Sequence, residues 1–297
     1  MKKSAIAYVL GVCLSLCFAS YGVAQDAPLK IFISADMEGI GGIGTGKMTS
    51  SSGKDYAKGR AFMTGEVNAV IEAIFSLGPA EILVNDSHGD MQNPLHEQLP
   101  ANVQYIQGNT KPLGMVQGLD ASFDAAIFIG YHSRAGTEGG FLAHTGSGSV
   151  KGLWVNGVEV GEGGMNAYYA GYHGVPVILA SGDASFSEQF KALIPTRTVI
   201  TKTAVGSHVA RLLHPEEVQK RLREATVEAL EDMANAPVLE PGAPATIQMR
   251  FATTTRADIL QAIPGMRRID GYTVAYDAAN MDEGYRLIRL MYKYISW

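Results

Sequence analysis

Asp36 and Glu38 stand two residues apart where an apolar run, Leu29 to Ala35, gives out. If the extended backbone continues through them, its period of two turns both carboxylates to one side. Neighbouring carboxylates repel one another, and a divalent cation is the simplest compensator. An isolated Asp-x-Glu pair also reads as a solvated strand exit and helix cap, so the pair cannot carry a metal site alone. His88 adds to it, following the short apolar run Ile82-Leu83-Val84 in Asn85-Asp86-Ser87-His88. Neutral imidazole is a good zinc ligand, and Asp86 or a backbone carbonyl could orient its second nitrogen. His132 repeats the arrangement after Ala125 to Gly130. Two carboxylates and two imidazoles, each just past the pattern of a short buried strand, point to a bound metal that keeps room for water.

Glu162 is a fifth candidate ligand. It sits among Gly161, Gly163 and Gly164, where little side-chain bulk blocks close approach, although an acidic residue in an exposed turn is the alternative. Five ligands suffice for two metals if one carboxylate bridges them, and two ions about 3.5–4 Å apart can activate water and stabilise a tetrahedral oxyanion. His144, in Phe141-Leu142-Ala143-His144-Thr145-Gly146, reads as a third imidazole ligand, a proton carrier or a polar loop residue. Proton transfer or oxyanion stabilisation is its chemistry if the other five groups complete the metal site. His96, His173, His208 and His214 have weaker context.

The elements that must position these groups are of α/β type. Leu29 to Ala35, Glu81 to Asn85, Ala125 to Gly130 and Pro176 to Ala180 have the length and composition of short buried strands. Between the first two, Tyr56, Phe62, Met63, Val67, Val70, Ile71 and Ile74 give Asp55 to Leu77 a helical apolar face, which Gly78-Pro79 ends. Strand, helix, strand in this order places polar strand exits along a crevice. Gly152 to Val160 reads as a hairpin turning at Asn156-Gly157, and Glu162 precedes a helix near Met165 to Ala170. Pro215 to Ala234 and Met281 to Tyr294 are further helices, and Ala245 to Phe251 is a further strand. The expectation is a layered α/β core with a strand-exit metal site. Residues 25–190 would form the catalytic domain and 191–297 a smaller C-terminal α/β domain.

The first 24 residues stand apart. Lys2 and Lys3, an apolar run from Ala5 to Phe18, and the small residues Gly22 and Ala24 around Val23 make a secretory signal peptide. Its apolar core is shorter than the roughly 20 residues needed to span a bilayer, so no stable membrane insertion is expected after cleavage. Both cysteines, Cys13 and Cys17, fall within it. The exported chain therefore has no thiolate, and any metal must be held by oxygen and imidazole nitrogen. A net charge of −5 without a basic stripe argues against nucleic acid as a partner.

Taken in order, Ser34-Ala35-Asp36-Met37-Glu38-Gly39, the helix segment with Gly59-Arg60 and Met63-Thr64-Gly65-Glu66-Val67-Asn68-Ala69, and Val84-Asn85-Asp86-Ser87-His88 resemble peptidase family M55, the zinc D-aminopeptidases. Gly130-Tyr131-His132-Ser133-Arg134-Ala135, Val160-Gly161-Glu162 and Asn166-Ala167-Tyr168 continue the resemblance over nearly all of the exported chain. It implies that Asp36 bridges two zinc ions, that Glu38, His88, His132 and Glu162 complete the protein ligands, and that His144 is the catalytic histidine. It also implies short peptides with D-amino-acid N termini as substrates and a ring-like homo-oligomer. The export signal departs from the family form and predicts a periplasmic or secreted enzyme. A metallo-amidase or esterase using the same water chemistry is the alternative, followed by a peptide- or carbohydrate-binding protein with a structural metal. The residue types do not distinguish zinc from manganese or cobalt.

Overall fold

The computed structural model describes residues 28–295; the signal segment lies outside the described residues. In chain order the elements begin with β1 (Leu29–Ala35), α1 (Tyr56–Leu77), β2 (Ala80–Asp86), β3 (Gln104–Ile106) and β4 (Ala125–Tyr131). There follow β5 (Val150–Val155), β6 (Val158–Glu159), α2 (Glu162–Tyr172), β7 (Val177–Asp183), α3 (Ala184–Leu193), β8 (Arg197–Gly206) and β9 (Val209–Leu212). The chain ends with α4 (Pro215–Glu231), β10 (Ala245–Phe251), α5 (Thr254–Leu260), β11 (Arg267–Arg268), β12 (Thr273–Ala278) and α6 (Met281–Arg289), which runs on into a π-helical turn, Leu290–Tyr294.

Seven strands form one sheet in the order β3-β2-β1-β4-β7-β8-β9, parallel throughout except for the β8–β9 hairpin. Strands β4 and β7 are buried at every residue, as expected for a parallel sheet covered on both faces. One cover is α1 with α4: Ile31, Ile33 and Ile127 of the sheet share a core with Val67, Val70, Ile71, Val218 and Leu222. The opposite cover is α2, α3 and α6. Here Phe32 and Phe128 meet Met165, Tyr169, Phe186, Tyr285 and Ile288 in a core that continues into Leu153, Ile247 and Met249 of a second sheet. That sheet, β11-β12-β10-β5-β6, is antiparallel. Helices α2 and α6 thus pack in the one core that joins the two sheets.

The mixed α/β expectation holds, but the strands do not divide at residue 190. Strands β8 and β9, beyond that point, extend the large sheet, whereas β5 and β6, well before it, pair with β10 in the small one. Both transfers have the same physical cause: a strand edge is satisfied by whichever partner the topology brings alongside, and sequence proximity does not choose it.

The order of strands in the large sheet fixes where their polar exits can gather. From β1 the chain moves outward through β2 to β3, then returns to pair β4 with the other edge of β1. The strand order therefore reverses between β1 and β4, the point at which open α/β sheets form a crevice beyond their carboxyl ends. The backbones close on each other there: Asp36 N–H donates to the Ile129 carbonyl at 2.8 Å and Gly39 N–H to the Gly130 carbonyl at 2.8 Å. Gly130 has φ +74°, and a Cβ on it would lie 2.3 Å from the Asp36 carbonyl oxygen, so only glycine permits this approach.

Candidate metal centre

Three strand ends and one helix start deliver the side chains singled out from the sequence. Asp36 and Glu38 follow β1, His88 follows β2, His132 follows β4, and Glu162 is the first residue of α2. His144 comes from the loop between β4 and β5. All except His144 are nearly or fully removed from solvent; its side chain is 30% exposed.

They converge as two groups that share one residue. His88 Nδ1 lies 2.9 Å from Glu38 Oε2 and 3.3 Å from Asp36 Oδ1. On the other side His132 Nε2 lies 3.3 Å from Glu162 Oε2 and 3.5 Å from Asp36 Oδ2. The two oxygens of Asp36 thus face different imidazoles. His144 stacks on His132, with ring centroids 4.1 Å apart, and brings its Nε2 to 3.6 Å from Glu162 Oε1. Ligand atoms of Asp36, Glu38 and His88, of Asp36, His132 and Glu162, and of Glu38, His132 and His144 lie within 4.8 Å of one another in each set.

The imidazoles are oriented from behind. His88 Nε2 meets the Thr49 carbonyl at 2.7 Å, His132 Nδ1 the Ser133 carbonyl at 2.9 Å, and His144 Nδ1 the Leu142 carbonyl at 2.9 Å. A carbonyl can only accept, so each of these nitrogens carries the hydrogen and leaves the inward nitrogen's lone pair free for a metal. Asp86, considered as the partner of the His88 ring, instead accepts from the His88 backbone N–H and from Asn93.

Without a cation this arrangement is electrostatically awkward, and the titration behaviour shows how. Burial pushes the Asp36 carboxyl up to about 7, aided by the Glu38 charge. Burial also opposes ionisation of Glu38 and Glu162, but His88 holds Glu38 well below the usual range, and His132 with His144 hold Glu162 down at about 2. Burial likewise disfavours charged imidazole, yet the Glu38 carboxylate raises His88, and the Glu162 carboxylate raises His132, well above the ordinary histidine value. Protons on imidazoles are thus standing in for positive charge. Asp36 Oδ2, Glu38 Oε2 and His132 Nε2 nevertheless remain buried without a hydrogen bond of acceptable geometry among the described residues. Orphaned carboxylate oxygens facing inward imidazole nitrogens, whose protons a cation would displace, fit divalent metal, and for a donor set of nitrogen and oxygen alone they fit zinc.

Sequence reasoning missed what holds these residues in place. Lys202 of β8 is buried and donates from Nζ to the carbonyls of Glu38 and of Ile43, fastening the loop that carries both carboxylates. Glu66 of α1 accepts from Gly41 N–H in the same loop. Burial pushes Glu66 up to about 8 and Lys202 down to about 7, each shift resisted by the opposite charge of the other. Glu66 left a signal, since it falls beside Met63, Val67 and Val70 on an apolar helix face; Lys202 left none. Of the histidines set aside, none enters these metal-competent groups, and His96 and His173 pack against tyrosines.

A parallel α/β sheet whose switch point opens on buried carboxylates and imidazoles is the framework of a metal-dependent hydrolase. The family model for peptidase M55, described as D-aminopeptidase, matches residues 29–290, and the chain belongs to this family. A D-aminopeptidase of Bacillus subtilis (strain 168) is 36% identical over 265 residues, covering 89% of this chain and 96% of the relative. The solved structure of the Zn-dependent D-aminopeptidase DppA from Bacillus subtilis, described as a self-compartmentalizing protease, superimposes with a TM-score of 0.86 at 35% identity, over 89% of this chain and 96% of that one.

Proposed function

We propose that the protein is a dinuclear zinc aminopeptidase that hydrolyses short peptides with D-amino-acid N termini. The observation that carries this reading is the division of the Asp36 oxygens between two imidazole–carboxylate pairs. In this strand-exit site Asp36, Glu38, His88, His132 and Glu162 would hold two zinc ions per subunit, with Asp36 shared between the His88–Glu38 side and the His132–Glu162 side. Zinc, when bound, supplies Lewis acidity that polarises a carbonyl and makes water acidic enough to serve as a nucleophile near neutral pH.

The remaining work falls to the chain. His144 keeps its Nδ1 hydrogen on the Leu142 carbonyl, which leaves Nε2 to exchange a proton at the cavity. Its partial exposure suits a group that must reach substrate, and we assign it delivery of a proton to the departing amide nitrogen. Glu162 holds its Oε1 on the Gly146 N–H at 2.6 Å, which keeps that loop and His144 over the site. Burial of Asp36, Glu38, His132 and Glu162 strengthens the charge interactions among them.

Family membership and the likeness to the Bacillus subtilis enzyme support the D-specific substrate class. We further read residues 1–24 as an export signal that directs the enzyme to the periplasm or beyond the cell, and the working form as a ring-like homo-oligomer. No helix among the described residues is long and apolar enough to cross a membrane. Metal analysis of the purified exported chain, paired with hydrolysis of matched D- and L-dipeptides, tests the proposal. Two zinc equivalents with preference for the D isomer is the expected result. Full turnover after complete metal removal, or no turnover of either isomer, would reject it.

A further inference from the structure

The cavity at the metal centre has a second wall, of opposite charge. It has a volume of about 250 Å³, and besides Asp36, Glu38 and Glu162 it is lined by Arg289, Tyr292 and Lys293 from the end of α6 and its π-helical extension. Arg289 is the largest fully buried side chain among the described residues, at 2% exposure. No carboxylate of the described residues lies at ion-pair distance from it, in contrast to Arg267, Arg268 and Arg286 on neighbouring surfaces.

What Arg289 does touch is neutral. Its Nη1 donates to the Tyr292 hydroxyl at 2.5 Å, its Nη2 lies 3.3 Å from the Lys111 carbonyl and 3.4 Å from the Tyr294 hydroxyl, and the rings of Tyr292 and Tyr294 flank its Cζ at 5.2 and 5.6 Å. Nε is buried with no hydrogen-bond partner among the described residues. The backbone makes room for this placement: Gly114 has φ +47°, and a Cβ there would come within 2.5 Å of the guanidinium. A guanidinium buried without a counter-ion is strongly disfavoured by desolvation. A position built to hold one, aromatic faces included, at the edge of a cavity is therefore a position built for an incoming anion. Lys293 adds a second cation on the same wall, with Nζ 3.3 Å from the Gly89 carbonyl beside His88.

We propose that Arg289, assisted by Lys293, receives the free carboxylate of a short peptide whose amino end and scissile bond lie toward the acidic wall. The inference rests on the peptidase reading and goes beyond it, because it makes substrate length a property of the cavity. Because Arg289 lines the same small cavity as the acidic ligands, a carboxylate held there lies close to the cleaved bond, which suits short peptides. Dipeptides and tripeptides are accepted; a chain continuing past the guanidinium leaves it unpaired.

The experiment compares D-alanyl-D-alanine with its carboxyl-terminal amide on the zinc-loaded full chain. The free acid should show kcat/KM higher by about tenfold or more, mainly through KM, as expected for a charge-assisted pair. In Arg289→Met this advantage should collapse, with KM rising about tenfold more for the acid than for the amide. Lys293→Met, a less buried position, should reduce it in the same sense. Equal turnover of acid and amide by the unaltered enzyme would overturn the carboxylate anchor and leave the peptidase reading standing, whereas turnover of neither would overturn both. A fall of equal size for both substrates in Arg289→Met would also overturn it. If that variant does not fold, the wild-type pair and Lys293→Met decide the question.

Discussion

The two sheets contribute to the site in different ways. The seven-stranded sheet supplies ligands directly: β1, β2 and β4 each release a carboxylate or imidazole within one to three residues of their ends, on the two sides of a switch point. The five-stranded sheet contributes no ligand from its strands. It supports α2, whose first residue is Glu162, and α6, whose far end closes the cavity with Arg289. One region creates the chemistry through adjacent parallel strands, and the other shapes the space around it. A change to the first should therefore abolish metal binding, and an exposed change to the second should leave it intact.

The sharpest way to break this contrast is Asp36→Ala. Losing the one carboxylate that faces both imidazoles should remove bound zinc and lower kcat/KM by about 10³-fold or more, the scale of several kcal/mol of charge stabilisation. Elemental analysis alongside kinetics checks it; retention of two zinc equivalents would contradict the bridging role.

The proton balance of the same site gives a second, somewhat smaller effect. His88 and His132 hold protons well above the ordinary histidine value in the metal-free protein, and Asp36 releases its proton only near 7. Zinc must displace these protons, so its affinity rises with pH and falls as the site reprotonates. A chelator competition at pH 6 and pH 8 should show binding weaker at pH 6 by about 10²-fold for each zinc ion, because each ion displaces one imidazole proton and each proton contributes one decade per pH unit. For the metal-free fold the sign is reversed at these histidines. Their raised values contribute stability that is complete below their unfolded value near 6.5 and is lost as pH rises through the folded value.

Lys202→Met probes support rather than chemistry within the large sheet. It leaves the carbonyls of Glu38 and Ile43 without their donor, which should destabilise the protein by about 2 kcal/mol. Urea unfolding measures that loss, and zinc affinity should fall with it because the carboxylate loop is loosened. The smallest effect belongs to the second sheet. Arg267→Ala removes an exposed ion pair to Asp277 between β11 and β12 and should change stability by less than about 0.5 kcal/mol, with zinc content and turnover unaltered. A loss of zinc in this variant would show that the two sheets are not separable in function.

Local pattern alone was enough for several elements, β1 with its ligands among them. Leu29 to Ala35 and Ala245 to Phe251 are strands over the residues expected, and the helix after Asp55 ends at Leu77 before Gly78 as the apolar spacing and breaker required. Four of the converging side chains, Asp36, Glu38, His88 and His132, were legible for the same reason, because a polar residue just past a buried run has only the crevice to enter. Less legible were α3, β8, β9 and β12. Strand β8 interleaves exposed and buried residues with a buried lysine, and β9 is mostly exposed, so neither carries an uninterrupted apolar signal.

By itself, then, the order of residues determined the strands and helices with an uninterrupted apolar pattern, and which acids and imidazoles were available for a cation, since these follow from residue type, short-range sterics and hydrophobic periodicity. Tertiary structure alone decided which strands became neighbours, that the Asp36 oxygens face two different imidazoles, and that Lys202 and Arg289 come to surround residues far away in the chain. Those outcomes depend on strand pairing and core packing across long separations, where the energy lies in the complete set of contacts and no local pattern records it.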